Sequence, residues 1–190
     1  MSRRTALLVM DVQTGIVERF AADGGALLRA VGGAAAAARR AGVPVVFVRI
    51  GFRPGAPEIS RRNRAFAARA GAMDMGLDDP VTQIHPAVAP EAGDIVVVKK
   101  RVSAFAGSDL EVVLRSLDVE TLVLTGIATS GVVLSTLRQA ADLDYDLTVL
   151  RDCCADGDEE VHRVLLDKVF PRQAAVMDST AWAQSLSETG

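Results

Sequence analysis

Six short runs rich in β-branched residues alternate with longer stretches that carry apolar residues at helical spacing. The runs are Thr5–Met10, Pro44–Ile50, Asp94–Lys99, Thr121–Thr125, Asp146–Leu150 and Ala174–Met177. Several are apolar at consecutive positions, the pattern of strands covered on both faces rather than on one. The intervening helical stretches are Ala26–Ala41, Ser108–Leu117, Ser130–Leu143 and Asp158–Val169. Asp158 and Ser130 stand where a side-chain oxygen can cap a helix start, and Gly42 stands where a helix ends. Such alternation predicts a parallel α/β sheet with helices on both faces, because each helical crossover returns the chain in the same direction.

One segment breaks the alternation. Residues Gly51 to Gly93 contain Pro54, Pro57, Pro80, Pro86 and Pro90, and a basic run Arg61, Arg62, Arg64 and Arg69. A helix over Ser60–Ala70 is expected there, inside a long excursion over the sheet of the kind that forms lids or oligomer contacts. The basic run reads as a solvated helix face, with binding of substrate carboxylates as the alternative.

A chain of 190 residues, 49% hydrophobic, is long enough for one domain, 1–190, with a substantial core. Its net charge of −3 and 4% aromatic content argue against a nucleic-acid partner. The first apolar run is too short for a signal segment or a membrane span, so a cytoplasmic protein is expected. The only cysteines, Cys153 and Cys154, are neighbours, which disfavours a disulfide between them. With no Cys/His cluster, no metal site is expected.

In open parallel sheets, ligands bind beyond the carboxyl ends of the strands. Asp11 follows the first strand, Lys99 closes the third, and Gly126–Val132 joins the fourth to its helix. A carboxylate at a buried strand end is costly unless it is paired or used. A structural Asp–Lys ion pair accounts for these two residues as readily as a catalytic pair does. The loop after the fourth strand adds a helix start, whose N–H groups suit an anion or oxyanion. Gly126 and Gly131 have the spacing of phosphate-loop glycines, but Val132 and Val133 replace the required Lys and Ser/Thr. No GxGxxG follows the first strand, so no dinucleotide cofactor is expected. No GxSxG elbow exists, and His85 and His162 read as solvated rather than catalytic.

The blocks ALLVMDVQ, VVVKKRVSAF and TGIATSGVVLSTLRQAADLDYDLTVLRDCCAD resemble the signature blocks of the isochorismatase-like hydrolase superfamily, in order and spacing. The resemblance implies a three-layer α/β/α sandwich with a six-stranded parallel sheet and a homodimer or higher oligomer. It assigns Asp11 and Lys99 as catalytic, with Lys100 as the neighbour pointing the other way. It also implies a cis peptide at Ile127–Ala128, with the Ala128 and Val132 N–H groups facing a substrate oxygen. Gln13 and Ser103 lie within the motifs as supports of the site.

Departures from the pattern shape the functional expectation. Cysteine hydrolases of this superfamily carry their nucleophile at the position of Val132, and valine cannot form a thioester-type intermediate. Rescue by Ser130, Ser135, Cys153 or Cys154 is disfavoured. The stretch Arg49-Ile50-Gly51-Phe52-Arg53 lacks the metal ligands that nicotinamidases place there. Isochorismatases also lack the cysteine and hydrolyse a vinyl ether by protonating it. The expectation is therefore a hydrolase acting on a small polar molecule by general acid–base chemistry without a covalent cysteine, vinyl-ether hydrolysis being one candidate. Asp11 transfers the proton, and Lys99 orients or neutralises the substrate. A non-catalytic binding or assembly protein that has kept the fold is the alternative.

Overall fold

The computed structural model describes residues 4–21, 24–70 and 75–188. Strands β1 (Thr5–Met10), β2 (Val45–Ile50), β3 (Ile95–Lys99), β4 (Thr121–Ile127), β5 (Asp146–Ala155) and β6 (Ala175–Met177) form one sheet. Its order is β3-β2-β1-β4-β5-β6, and every pairing is parallel. The helices are α1 (Thr14–Phe20), α2 (Gly25–Arg40), α3 (Arg64–Ala70), α4 (Leu110–Ser116), α5 (Leu134–Asp142), α6 (Glu159–Val164) and α7 (Ser179–Glu188).

β1 shows why both faces are covered. Ala6, Leu8 and Met10 point into one core with Leu110, Leu114, Leu137 and Ala140 of α4 and α5. Leu7 and Val9, on the alternate positions, pack with Leu27, Val31, Ala34 and Ala38 of α2 and with Trp182 of α7. Period-two alternation thus feeds two cores from one apolar run. The result is the three-layer α/β/α sandwich with its six-stranded parallel sheet. No described helix is long and apolar enough to cross a membrane.

The expected caps divide. Asp158 accepts from Val161 N at 3.0 Å and opens α6. Gly42, at φ +69°, follows the last turn of α2 in the left-handed region that favours glycine. Ser130 does not cap: a π turn over Thr129–Val133 precedes α5, and Ala128 holds the N-cap position without a side-chain bond. The helix expected over Ser60–Ala70 begins at Arg64, where the Asn63 side chain accepts from Phe66 N at 3.3 Å.

The strand order reverses between β1 and β4, since the chain winds outward from β1 in one direction and from β4 in the other. Crevices form at such a reversal. Gly126 closes β4 there at φ +144°, and a Cβ on it would stand 2.2 Å from the Met10 carbonyl oxygen. Only glycine lets β1 and β4 approach this closely.

Candidate active site

The carboxyl ends of β1, β3 and β4 open onto a cavity of about 330 Å³. Asp11, Lys99, Ile127, Ala128 and Val132 all contribute to its wall. The carboxylate and ammonium expected from strand ends therefore meet, beside the helix start that carries Val132.

Asp11 sits one residue past β1 at φ +55°, a left-handed conformation that Asp tolerates better than most residues. Its N–H donates to Val48 O at 2.8 Å, which locks it to the end of β2. Lys99 Nζ lies 2.7 Å from Asp11 Oδ2, with side chains only 1% and 8% exposed. The same ammonium donates to Arg101 O at 3.0 Å and Val102 O at 2.9 Å. A lysine has three N–H donors, and these contacts employ all of them. Lys100 turns away as expected, donating to Gly51 O and lying 5.9 Å from the Phe52 ring centre. Burial of the Lys100 ammonium lowers its pKa.

The β4–α5 connection brings three consecutive residues, Ser130, Gly131 and Val132, to the cavity. Its π turn spaces them more widely than an α turn does, and such turns recur at functional sites. The Ile127–Ala128 peptide is cis. Ser130 N–H donates to an Asp156 carboxylate oxygen at 2.6 Å, so a residue after β5 anchors the turn. Thr129 Oγ1 donates to Ala155 O at 3.1 Å and lies 2.7 Å from His162 Nδ1, whose N–H it therefore accepts.

His162 is accordingly half-buried and bonded, not solvated, and burial lowers its pKa. His85 accepts from Ala87 N at 3.2 Å and starts a short 3-10 turn, away from the cavity.

Gln13 and Ser103 do not line the cavity, but each holds a residue that is next to or in its wall. Gln13 is buried and bonds both to Ile50 N and to Ile50 O, at 2.9 Å each. Its amide also donates to Thr82 O, tying the excursion to β1 and β2. Ser103 Oγ donates to Gln139 Oε1 at 2.7 Å and so fastens the loop after β3 to α5.

The two thiols are elsewhere. Cys153 belongs to the α2-side core and Cys154 to the α5-side core, as consecutive strand residues must. Burial pushes the Cys153 thiol up strongly and Cys154 up to about 12. Neither lines the cavity. Arg61, Arg62 and Arg64 are exposed and lie outside the cavity wall, which fits a solvated face. Among the described residues, no group of three or more His, Cys, Asp or Glu side chains could hold a metal ion.

Sequence reasoning missed most of the cavity's walls. Ile16 and Phe20 come from α1, and Phe66 and Met75 come from the excursion, which therefore contributes to the wall of the pocket. Phe66 stacks edge-on against Phe52 at 5.8 Å between ring centres, building a small core beneath the excursion.

Residues 5–181 match the model of the isochorismatase domain. The chain belongs to the isochorismatase family. Among its relatives, the isochorismatase family protein YecD of Escherichia coli O157:H7 is 32% identical over 177 residues, covering 92% of each chain. The ureidoacrylate amidohydrolase RutB of Methylobacterium radiotolerans is 33% identical over 211 residues, covering 96% of this chain and 79% of that protein. A cysteine hydrolase structure from Pseudomonas syringae pv. phaseolicola superposes with a TM-score of 0.89 over 98% of this chain and 94% of that one. Its identity of 23% makes that likeness one of fold. The isochorismatase family fold thus frames the cavity, and the relatives support a hydrolase.

Proposed function

We propose that the protein hydrolyses a small acyl compound, an amide or ester, through water activated by Asp11 and without a covalent cysteine intermediate. The observation that carries this reading is the buried Asp11–Lys99 pair at 2.7 Å on the wall of the cavity. Asp11 and Lys99 form an ion pair, and this reading uses the carboxylate as a base rather than as a proton donor. That ranks water attack ahead of vinyl-ether protonation. Val132 offers no lone pair at the position where a thioester would form.

In this scheme Asp11 takes a proton from water as the water oxygen bonds to the acyl carbon. The carbonyl electron pair moves onto its oxygen, which the Ala128 and Val132 N–H groups receive. Collapse of this intermediate breaks the bond to the leaving group, which departs with the proton from Asp11. Lys99, with its donors committed, holds Asp11 in place and fixes the Arg101–Val102 loop rather than gripping substrate. The amidohydrolase named among the relatives supports C–N cleavage as the reaction class.

The test is a panel of small amides and vinyl ethers, followed by ammonia and pyruvate release. Ammonia is expected, with Asp11→Asn lowering kcat/KM at least about 100-fold in a variant still folded by circular dichroism. Pyruvate without ammonia restores vinyl-ether chemistry. A variant that loses only stability, in a protein with no turnover, identifies the pair as structural.

A further inference from the structure

Of the described residues lining the cavity, three carry charge: Asp11, Lys99 and Arg19. Asp11 and Lys99 neutralise each other, which leaves the wall with one cation in excess. Arg19 belongs to α1, where Gly15, Ile16, Arg19 and Phe20 face the cavity together, as positions four apart on a helix do. Its guanidinium carbon lies 5.3 Å from the centre of the Phe20 ring, itself part of the wall. No carboxylate of the described residues forms an ion pair with Arg19.

Apart from Ser130, the remaining side chains of the wall are apolar, Ile16, Phe20, Ile50, Phe66 and Val102 among them. Arg19 is itself exposed, so water screens its charge, and the face of the Phe20 ring holds the guanidinium beside these walls. Guanidinium matches the planar, two-oxygen geometry of a carboxylate better than any other side chain does.

We infer that Arg19 is a specificity-determining residue, binding the carboxylate of a small monoanionic substrate whose apolar body lies along the cavity and whose scissile group reaches Asp11. This corrects the expectation of a generally polar substrate: one end is anionic and the middle is apolar. The inference deepens the proposed hydrolysis and rests on it for the placement of the scissile group, though not for the anion site.

The probes are the monoamides of succinic, glutaric and adipic acids, each beside its neutral diamide. Binding is read by calorimetry and hydrolysis separately by ammonia release. At least one monoamide is expected to bind the wild-type protein about tenfold tighter than its diamide, the usual weight of a charge-assisted hydrogen bond. Arg19→Gln should level the two, and Arg19→Lys should restore part of the preference. Equal binding of acid and amide by the wild-type protein, no binding of any monoamide at millimolar concentration, or a preference that survives Arg19→Gln overturns the assignment. An Arg19-dependent preference without ammonia release upholds the anion site and overturns the proposed hydrolysis. Ammonia release with no charge preference does the reverse.

Discussion

At the amino ends of the strands, Thr5, Thr121 and Thr148 line a cleft of about 1020 Å³ with Arg4, Arg40 and Trp182. At the carboxyl ends the cavity is about 330 Å³. The larger space holds the less demanding chemistry. Its Arg4 pairs with Asp118 at 3.0 Å while both side chains remain mostly in water, an arrangement that contributes little. The smaller space holds a carboxylate and an ammonium that are almost wholly buried, a left-handed aspartate and a π turn. Cavity size does not locate chemistry. Costly features concentrated at one end of a sheet do, because a fold keeps ionised groups away from water only where packing or function holds them there.

The sharpest way to break this comparison is to disturb a cation at each end. Lys99→Met leaves the Asp11 carboxylate buried beside an apolar chain, and breaking a buried pair in this way costs about 3–5 kcal/mol. Arg40→Gln, at the exposed amino end, should not move the urea midpoint measurably. Equal losses in chemical denaturation would show that the carboxyl end is not special.

Glycines give the next test. Gly126→Ala forces a Cβ against the Met10 carbonyl and holds alanine at a positive φ, so a loss of about 3 kcal/mol is expected. Gly42, also at positive φ, has nothing within 4 Å of an added Cβ. Gly42→Ala should therefore lose only the backbone term, about 1 kcal/mol. A Gly126→Ala protein as stable as Gly42→Ala would mean that β1 and β4 can separate at no cost.

The same contrast explains what the sequence could convey. Asp11 and Lys99 were legible because each ends an apolar run, and strand ends in a parallel sheet converge by topology. Strand positions were legible too, with two strands running further than expected, β4 to Ile127 rather than Thr125 among them. β5 was expected to stop at Leu150 but runs to Ala155, because a register shift between Leu124 and Gly126 lets Cys154 pair with Gly126. Helices α1 and α7 were not anticipated. α1 is short and starts beside Gly15, and α7 mixes Ser and Thr with its apolar residues, so neither has strong periodicity. Contacts between distant segments left no local trace: Asp156 on Ser130 N, His162 on Thr129, and Phe66 and Met75 in the cavity wall. Each depends on which loops the sheet order brings together.

The thiols of β5 sharpen the comparison least, but from a separate direction. Cys153 and Cys154 lie near the carboxyl end of β5, one on each face, and burial raises both thiols, Cys154 to about 12. An unfolded thiol titrates near 8.5. Below that value both states keep the proton, and stability does not depend on it. Above it the unfolded chain releases the proton while the native protein retains it, so the unfolded state binds fewer protons and stability falls as pH rises. The fall should reach about 1.4 kcal/mol per pH unit per thiol, and it should end near the folded value. Urea midpoints measured between pH 8 and 10 should decline accordingly, and Cys154→Ala should flatten part of that slope while lowering stability at pH 8. The native thiols should also resist iodoacetamide at pH 8. Rapid alkylation of Cys154 without unfolding would place a thiolate within reach of solvent, and would reopen covalent chemistry beside the site.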